Sequence, residues 1–257
     1  MLTVMATKGG QTLNLSNNPN YALIAVAGLT PPTAAINTSP LATKDGSVFN
    51  SSRLNNRNVV LTICPLGNVE NARLELYRFF KAMQAVTLAF RTASRNVTID
   101  GWVENVPGEL FSQLQKIQVS IVCPDPYFKD VNETAVDFVS GAATIDNASD
   151  EAVGFITEFT ASGAVEGVTL TNGTNGQSFS VSVTMESGDK LILNTKRGEK
   201  SVTLVHNGTA ASVINLMDVN SKWIALEVGS NALTFTCTSG AANLTARSTL
   251  QPIYEGV

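Results

Sequence analysis

The sequence predicts a mainly β protein with one α-helix, arranged as two domains. One stretch, residues 68–83, repeats apolar residues at helical spacing, while the remaining apolar runs are short and alternate with polar residues. The charge also changes sign along the 257-residue chain: lysines and arginines gather before Lys129, and carboxylates after Asp130. Only 15% of the residues are charged, and Thr, Ser, Asn and Gly are abundant, the balance of a β-rich chain. These observations divide the chain into a first domain over 1–129, a linker over 130–150 and a second domain over 151–257.

In chain order, residues 11–15 form a short strand or an arm. Residues 21–29 form a stronger strand, stopped by Thr30-Pro31-Pro32. Residues 33–50 are polar, hold Pro40 and the turn Lys44-Asp45-Gly46, and read as a long exposed loop, for which contact with another chain is one physical reason. A strand over 58–63 leads into the helix. Val69, Ala72, Leu76, Phe79, Phe80 and Met83 give that helix a wide apolar face. Asn68 is its expected N-cap, and Glu70 lies in the first turn, where the helix dipole favours a negative charge. Residues 86–91 and 97–104 make a hairpin, and Val106-Pro107-Gly108 opens a second exposed loop over 106–110. In the last strand of this half Ile117, Val119, Ile121 and Cys123 share one face; Pro124 and Pro126 then remove backbone donors and end the ladder. The expected core of the first domain is therefore Leu76, Phe79 and Phe80 packed on this sheet.

The second half reads as all β. Phe179, Val181, Val183 and Met185 alternate with polar residues, and further strands are expected over 190–195, 201–206, 222–228 and 233–237, separated by Gly- and Asn-containing turns. Short strands about every 8–12 residues with no helix argue for a β-sandwich or jelly roll.

Catalytic chemistry is hard to place. His206 is the only histidine and stands beside the hairpin signal Asn207-Gly208, with no nucleophile marked for it. Asp45 and Asp125 sit in turn contexts, while Asp100 and Asp189 adjoin glycines at strand ends. No glycine-rich loop enters a helix, and no dense Lys/Arg stripe suits nucleic acid. Cys64, Cys123 and Cys237 have neither zinc-ligand nor redox spacing, and the first ten residues lack a secretory pattern, so buried free thiols in a reducing compartment are expected. The longest apolar run, residues 22–29, is too short to cross a bilayer as a helix. The expectation is a protein that is not an enzyme, with no catalytic residues, cofactor or metal. A carbohydrate-binding adhesin remains the alternative, with Trp223 as a candidate sugar platform, and a hydrolase has the least support. Trp102, also on an expected strand, reads as core or groove packing.

The order of elements resembles the distal tail protein family of long-tailed, siphovirus-type bacteriophages. The matching residues are Gly28-Leu29-Thr30-Pro31-Pro32, Asp45-Gly46, Arg53-Leu54 with Arg57, Arg73-Leu74-Glu75-Leu76-Tyr77-Arg78-Phe79-Phe80, Gly101-Trp102-Val103-Glu104 and Gln118-Val119-Ser120-Ile121-Val122-Cys123-Pro124-Asp125-Pro126-Tyr127-Phe128. In the second half they are Ser187-Gly188-Asp189-Lys190-Leu191, His206-Asn207-Gly208, Val228-Gly229-Ser230-Asn231 and Pro252-Ile253-Tyr254-Glu255-Gly256-Val257. The resemblance implies a first domain of barrel-like or split-barrel form with a packed helix, followed by a galectin-like sandwich. It further implies a structural hub of the virion's tail tip, assembled in the bacterial host cytoplasm. In such a hub six first domains close a ring. The implied partners are other copies of the chain, the tail tube protein, the central tail-tip protein and receptor-binding proteins; DNA only passes through, and no membrane is contacted. Arg53, Arg57, Arg73 and Arg78 are candidate inter-subunit contacts in that ring.

Overall fold

In the computed structural model, residues 2–109 and 115–257 are described; Leu110, the end of the expected second loop, lies outside them. The chain divides into two compact units, Met1–Val131 with Tyr254–Val257, and Asn132–Ile253.

The first unit contains β1 (Thr3–Lys8), β2 (Gln11–Asn14), β3 (Tyr21–Ala27), β4 (Ala34–Pro40), β5 (Ser47–Leu54), β6 (Arg57–Pro65), α1 (Val69–Phe79), β7 (Ala85–Arg91), β8 (Asn96–Asn105), β9 (Ile117–Cys123) and β10 (Phe128–Asp130). Its main sheet is open and runs β2-β1-β7-β8-β9-β6-β3, with β10 pairing β8. Alternate residues point one way along each strand, so Val59, Leu61 and Ile63 on β6 lie beside Ile117, Val119 and Ile121 on β9, all 1% exposed or less. Ala72 and Leu76 of α1, and Phe80 at its C-cap, join this core.

The helix differs from its sequence-based bounds at one end only. Asn68 caps the N-terminus, its side chain accepting from the Asn71 N–H at 3.2 Å. At the other end α1 stops at Phe79, four residues before the expected limit. The chain turns there because Met83 and Gln84 extend the β8 pairing instead: Met83 N–H donates to Val103 O at 2.9 Å and Val103 N–H to Gln84 O at 3.0 Å. Met83 is thereby 90% exposed, with φ +68°, and is no part of the apolar face. Lys8 takes over the helix C-terminus, its Nζ donating to the carbonyls of Arg78 (3.1 Å) and Phe79 (2.7 Å), where the dipole favours a cation. Phe79 is half-buried beneath that ammonium, and Phe80 is the buried anchor.

Residues 33–50 are a second correction. They are not a loop: β4 and β5 form a two-stranded hairpin closed by the turn at 41–46. Serine and asparagine mask its alternation, yet those side chains pair across it, Asn37 Nδ2 with Ser51 Oγ (3.0 Å) and Asn50 Nδ2 with Ser39 Oγ (2.7 Å). Ile36, Val48 and Phe49 are 50–65% exposed on this hairpin.

The second unit opens with β11 (Thr134–Asp137) and β12 (Ala142–Asn147), so most of the expected linker is strand. Then follow β13 (Ile156–Ala161), β14 (Val165–Asn172), β15 (Gln177–Met185), β16 (Lys190–Asn194), β17 (Ser201–His206), β18 (Thr209–Ser212), β19 (Gly229–Ser239) and β20 (Leu244–Leu250). Two sheets, β11-β20-β13-β16-β17-β18 and β12-β19-β14-β15, face each other across one apolar core, in which Phe159 and Phe235 meet edge to face at 5.8 Å. The final short strand, β21 (Ile253–Tyr254), pairs with β10.

The strand expected over 222–228 is instead an extended segment with a single bridge, Leu226 to Val153. Side-chain amides replace a ladder there: Asn172 Nδ2 reaches Ala225 O, Asn147 Nδ2 reaches Leu226 O, and Asn231 Nδ2 reaches Glu227 O. These asparagines are at most 1% exposed, and Asn172 also donates to Asn231 Oδ1. Asn231→Ala should therefore lower the second unit's stability by about 2–4 kcal/mol, because it leaves buried partners unpaired. Urea unfolding followed by tryptophan fluorescence checks this; a loss below about 0.5 kcal/mol, the level of an ordinary surface change, would contradict the network's role.

Candidate functional site

A cluster of polar contacts in the first unit is built around the buried Arg57. This residue opens β6 and is only 3% exposed. Its guanidinium is held by four backbone carbonyls: Nη1 donates to Gly28 O and Thr30 O (2.6 Å each), Nε to Pro126 O (2.7 Å), and Nη2 to Glu255 O (2.6 Å). The cation also stands 4.4 Å from the centre of the Phe128 ring. Burial pulls the Arg57 pKa below its ordinary value, opposed by nearby Cys123 and Glu255, but an arginine starts high enough to remain charged.

Local sequence explains each acceptor. Gly28 has φ +85°, and a Cβ there would come within 2.2 Å of Asn58 O, so only glycine lets β3 approach β6 this closely. Pro31 and Pro32 hold the chain after Thr30 extended and donate no N–H, as Pro124 and Pro126 do after β9. Planar donors in a fork can serve several such carbonyls at once; a lysine ammonium cannot take the same arrangement. Beside Arg57, Arg95 stacks 3.8 Å from the centre of the Tyr254 ring and donates to Gly256 O at 3.1 Å. Tyr254 Oη donates to Asp130 Oδ2 at 3.1 Å, and Val257 N–H to Leu29 O at 3.0 Å.

The expected inter-subunit arginines are therefore unlike one another. Arg57 faces inward and is a structural centre of its own chain; its short spacing from the apolar run of β6 gave no sign of that. Arg53 lies exposed on β5, and Arg78 exposed on α1. Arg73 is half-buried, and its Nε is buried without a hydrogen-bond partner. Cys123, fully buried beside this cluster, is a thiol whose pKa is pushed up to about 12, chiefly by burial. That keeps it protonated and unreactive.

Elsewhere among the described residues, the polar contacts of His206 are the ones to weigh for catalysis. His206 Nδ1 meets the buried carboxylate of Asp189 at 2.8 Å, an orienting contact that sequence spacing did not reveal. The opposite nitrogen, Nε2, is taken by the Asn207 side-chain amide at 2.9 Å. A general base needs that nitrogen directed at a nucleophile. Among the described residues no group of three or more His, Cys, Asp or Glu could hold a metal ion, and no helix is long and apolar enough to cross a membrane. Trp223, the candidate sugar platform, is half-buried, with its ring 5.1 Å from Phe179 and Lys200 Nζ 5.5 Å from its centre. Trp102 is 50% exposed and borders a shallow depression of about 280 Å³ with Lys8 and Asp100.

Comparison with known proteins adds to this geometry. Residues 148–249 match the family model of the siphovirus-type tail component, C-terminal domain. The chain resembles the distal tail proteins of siphophages. That likeness extends in fold to the Dit protein of phage SPP1, described as a paradigm of the hub adsorption apparatus in phages infecting Gram-positive hosts. There the TM-score is 0.76 at 14% identity, over 98% of this chain and 99% of that one. Chains from the phage P2 baseplate in its activated conformation, with Ca and with Sr, are also similar, at TM-scores of 0.54 and 0.52 and identities of 11% and 12%, each over 100% of both chains. No curated protein sequence matches. The fold is thus like that of a distal tail protein: mainly β, one α-helix among the described residues, and a sandwich in the second unit.

Proposed function

We propose that this chain is a structural, non-enzymatic hub of a phage tail tip. Copies close a ring, six in number by the family resemblance, that joins the tail tube to the central tail-tip protein and carries host-recognition components, with DNA passing through. The reading places it in the virion after assembly in the host cytoplasm, with no cofactor. The observation that carries it is the match in fold to the SPP1 hub protein over nearly the entire length of both chains.

A physical feature of the first unit supports the ring. An isolated two-stranded hairpin is marginal in water, yet among the described residues β4–β5 pairs with no other strand and exposes Ile36, Val48 and Phe49. A neighbouring copy that covers it would bury these side chains, and repetition of such a heterologous contact gives a ring where the rotation between copies closes. Arg53 stands on the same hairpin, and Arg73 and Arg78 on α1, as candidate contacts.

Phe49→Asp should reduce ring yield at least about tenfold, while the subunit's stability changes by no more than about 0.5 kcal/mol, because the residue packs on little within its own chain. Native mass spectrometry and negative-stain imaging of purified protein give the yield. Monomers alone at high concentration, with a tail-tube partner added, would count against the ring; undiminished rings from Phe49→Asp would remove the hairpin from its interface.

A further inference from the structure

The residues that complete the first unit follow the entire second unit in the chain. The main sheet reaches Asp130, Asn132–Ile253 fold as the other unit, and only then do Tyr254–Val257 return to the first. Their contacts there are numerous. Tyr254 is 9% exposed within the apolar core, and β21 gives β10 its second neighbour. Glu255 O is one of the four acceptors of Arg57, Gly256 O accepts from Arg95, and Val257 N–H donates to Leu29 O.

Until this segment seats, Arg57 is a buried cation short of an acceptor, and β10 has an open edge. A buried charged donor without its acceptor is a strong penalty, and an open strand edge invites wrong pairing. Because chains fold from the N-terminus as they are made, the first unit passes through that incomplete state while the second is being synthesised. The seat reads largely main chain: two arginines grip carbonyls, the Leu29 carbonyl accepts an N–H, and the side chains of Tyr254 and Val257 pack against the apolar core.

We propose that Tyr254–Val257 is a docking latch, and that the first unit becomes competent for assembly only when this segment seats. Ring formation then waits until the second unit has been made. The consequence for assembly rests on the ring proposed above; the docking itself does not.

The test compares the full chain, a chain ending at Ile253, and that shortened chain with a synthetic peptide of residues 251–257 or a scrambled control. The shortened chain should exchange backbone hydrogens in β3, β6 and β10 at least about tenfold faster. Its first-unit melting should fall by ~5–10 °C, with the second unit unchanged. Assembled species should disappear from sedimentation profiles, and the matching peptide alone should restore all three properties. A shortened chain that exchanges and assembles like the full chain overturns the proposal. If the shortened chain aggregates, full-length Tyr254→Ala decides, since it must show the same localised exchange increase, and unchanged exchange would refute docking. A full chain that stays monomeric would overturn the ring and the gating with it, while peptide-dependent exchange would still decide the docking.

Discussion

Replacing Arg57 by leucine lowers the stability of the first unit by about 3–5 kcal/mol, the largest expected effect of any single change outside the apolar core. The substitution removes one cation but leaves the carbonyls of Gly28, Thr30, Pro126 and Glu255 without their donor. The Arg57 end of these bonds is buried while the acceptors are partly open, Thr30 being exposed, so the loss is that of the bonds and of the packing around the guanidinium. Arg57→Lys should recover only part of it, because one ammonium cannot span four acceptors arranged around a planar fork. Urea unfolding resolved by unit, with hydrogen exchange to assign the transitions, makes the measurement. An Arg57→Leu chain with an unchanged first-unit midpoint would show that these bonds contribute nothing net. A loss of ring yield without any loss of stability would return Arg57 to the inter-subunit role expected from sequence.

Phe80→Ala should destabilise the same unit by about 3–5 kcal/mol, and Phe79→Ala by about 1–2 kcal/mol. Sequence periodicity ranks the two equally, since both fall on the apolar stripe. The structure separates them. Phe80 is 1% exposed and packs edge to face against Phe79, with ring centres 4.9 Å apart. Phe79 is half-buried, with its ring 5.6 Å from the Lys8 ammonium. Truncating Phe80 leaves a cavity within the sheet–helix interface; truncating Phe79 opens space that water can enter. Thermal melts of the two variants check the ranking, and equal losses would contradict it. Arg78→Ala, exposed on the opposite side, should change stability by no more than about 0.5 kcal/mol.

The elements that were legible share a property: local pattern and burial agree. The strand holding Ile117, Val119, Ile121 and Cys123 alternates cleanly because one face meets a core, and all four side chains are at most 1% exposed. Asn68 was legible as a cap because capping involves only the next turn. The β4–β5 hairpin was not, because both its faces are open and its polar residues carry no period. The end of α1 was missed because β8 competes for Met83 and Gln84. The segment over 222–228 was misjudged for a related reason: side-chain amides from Asn147, Asn172 and Asn231 satisfy a backbone that otherwise looks ready for a ladder.

By itself the sequence determined the mainly β composition, the lone helix and its N-cap, the alternating core strands of both halves, and the resemblance to distal tail proteins. Those properties depend on period, composition and turn chemistry, which lie within a few residues of one another. Only the tertiary structure decided that Gly28, Thr30, Pro126 and Glu255, scattered along the chain, converge on one arginine, and that Tyr254–Val257 complete a unit begun at the other end of the sequence. Carbonyl acceptors are the same in every residue type, so a site made from backbone leaves almost no mark on the side chains that spell the sequence. Folding brings such groups together, and a buried guanidinium then holds them there.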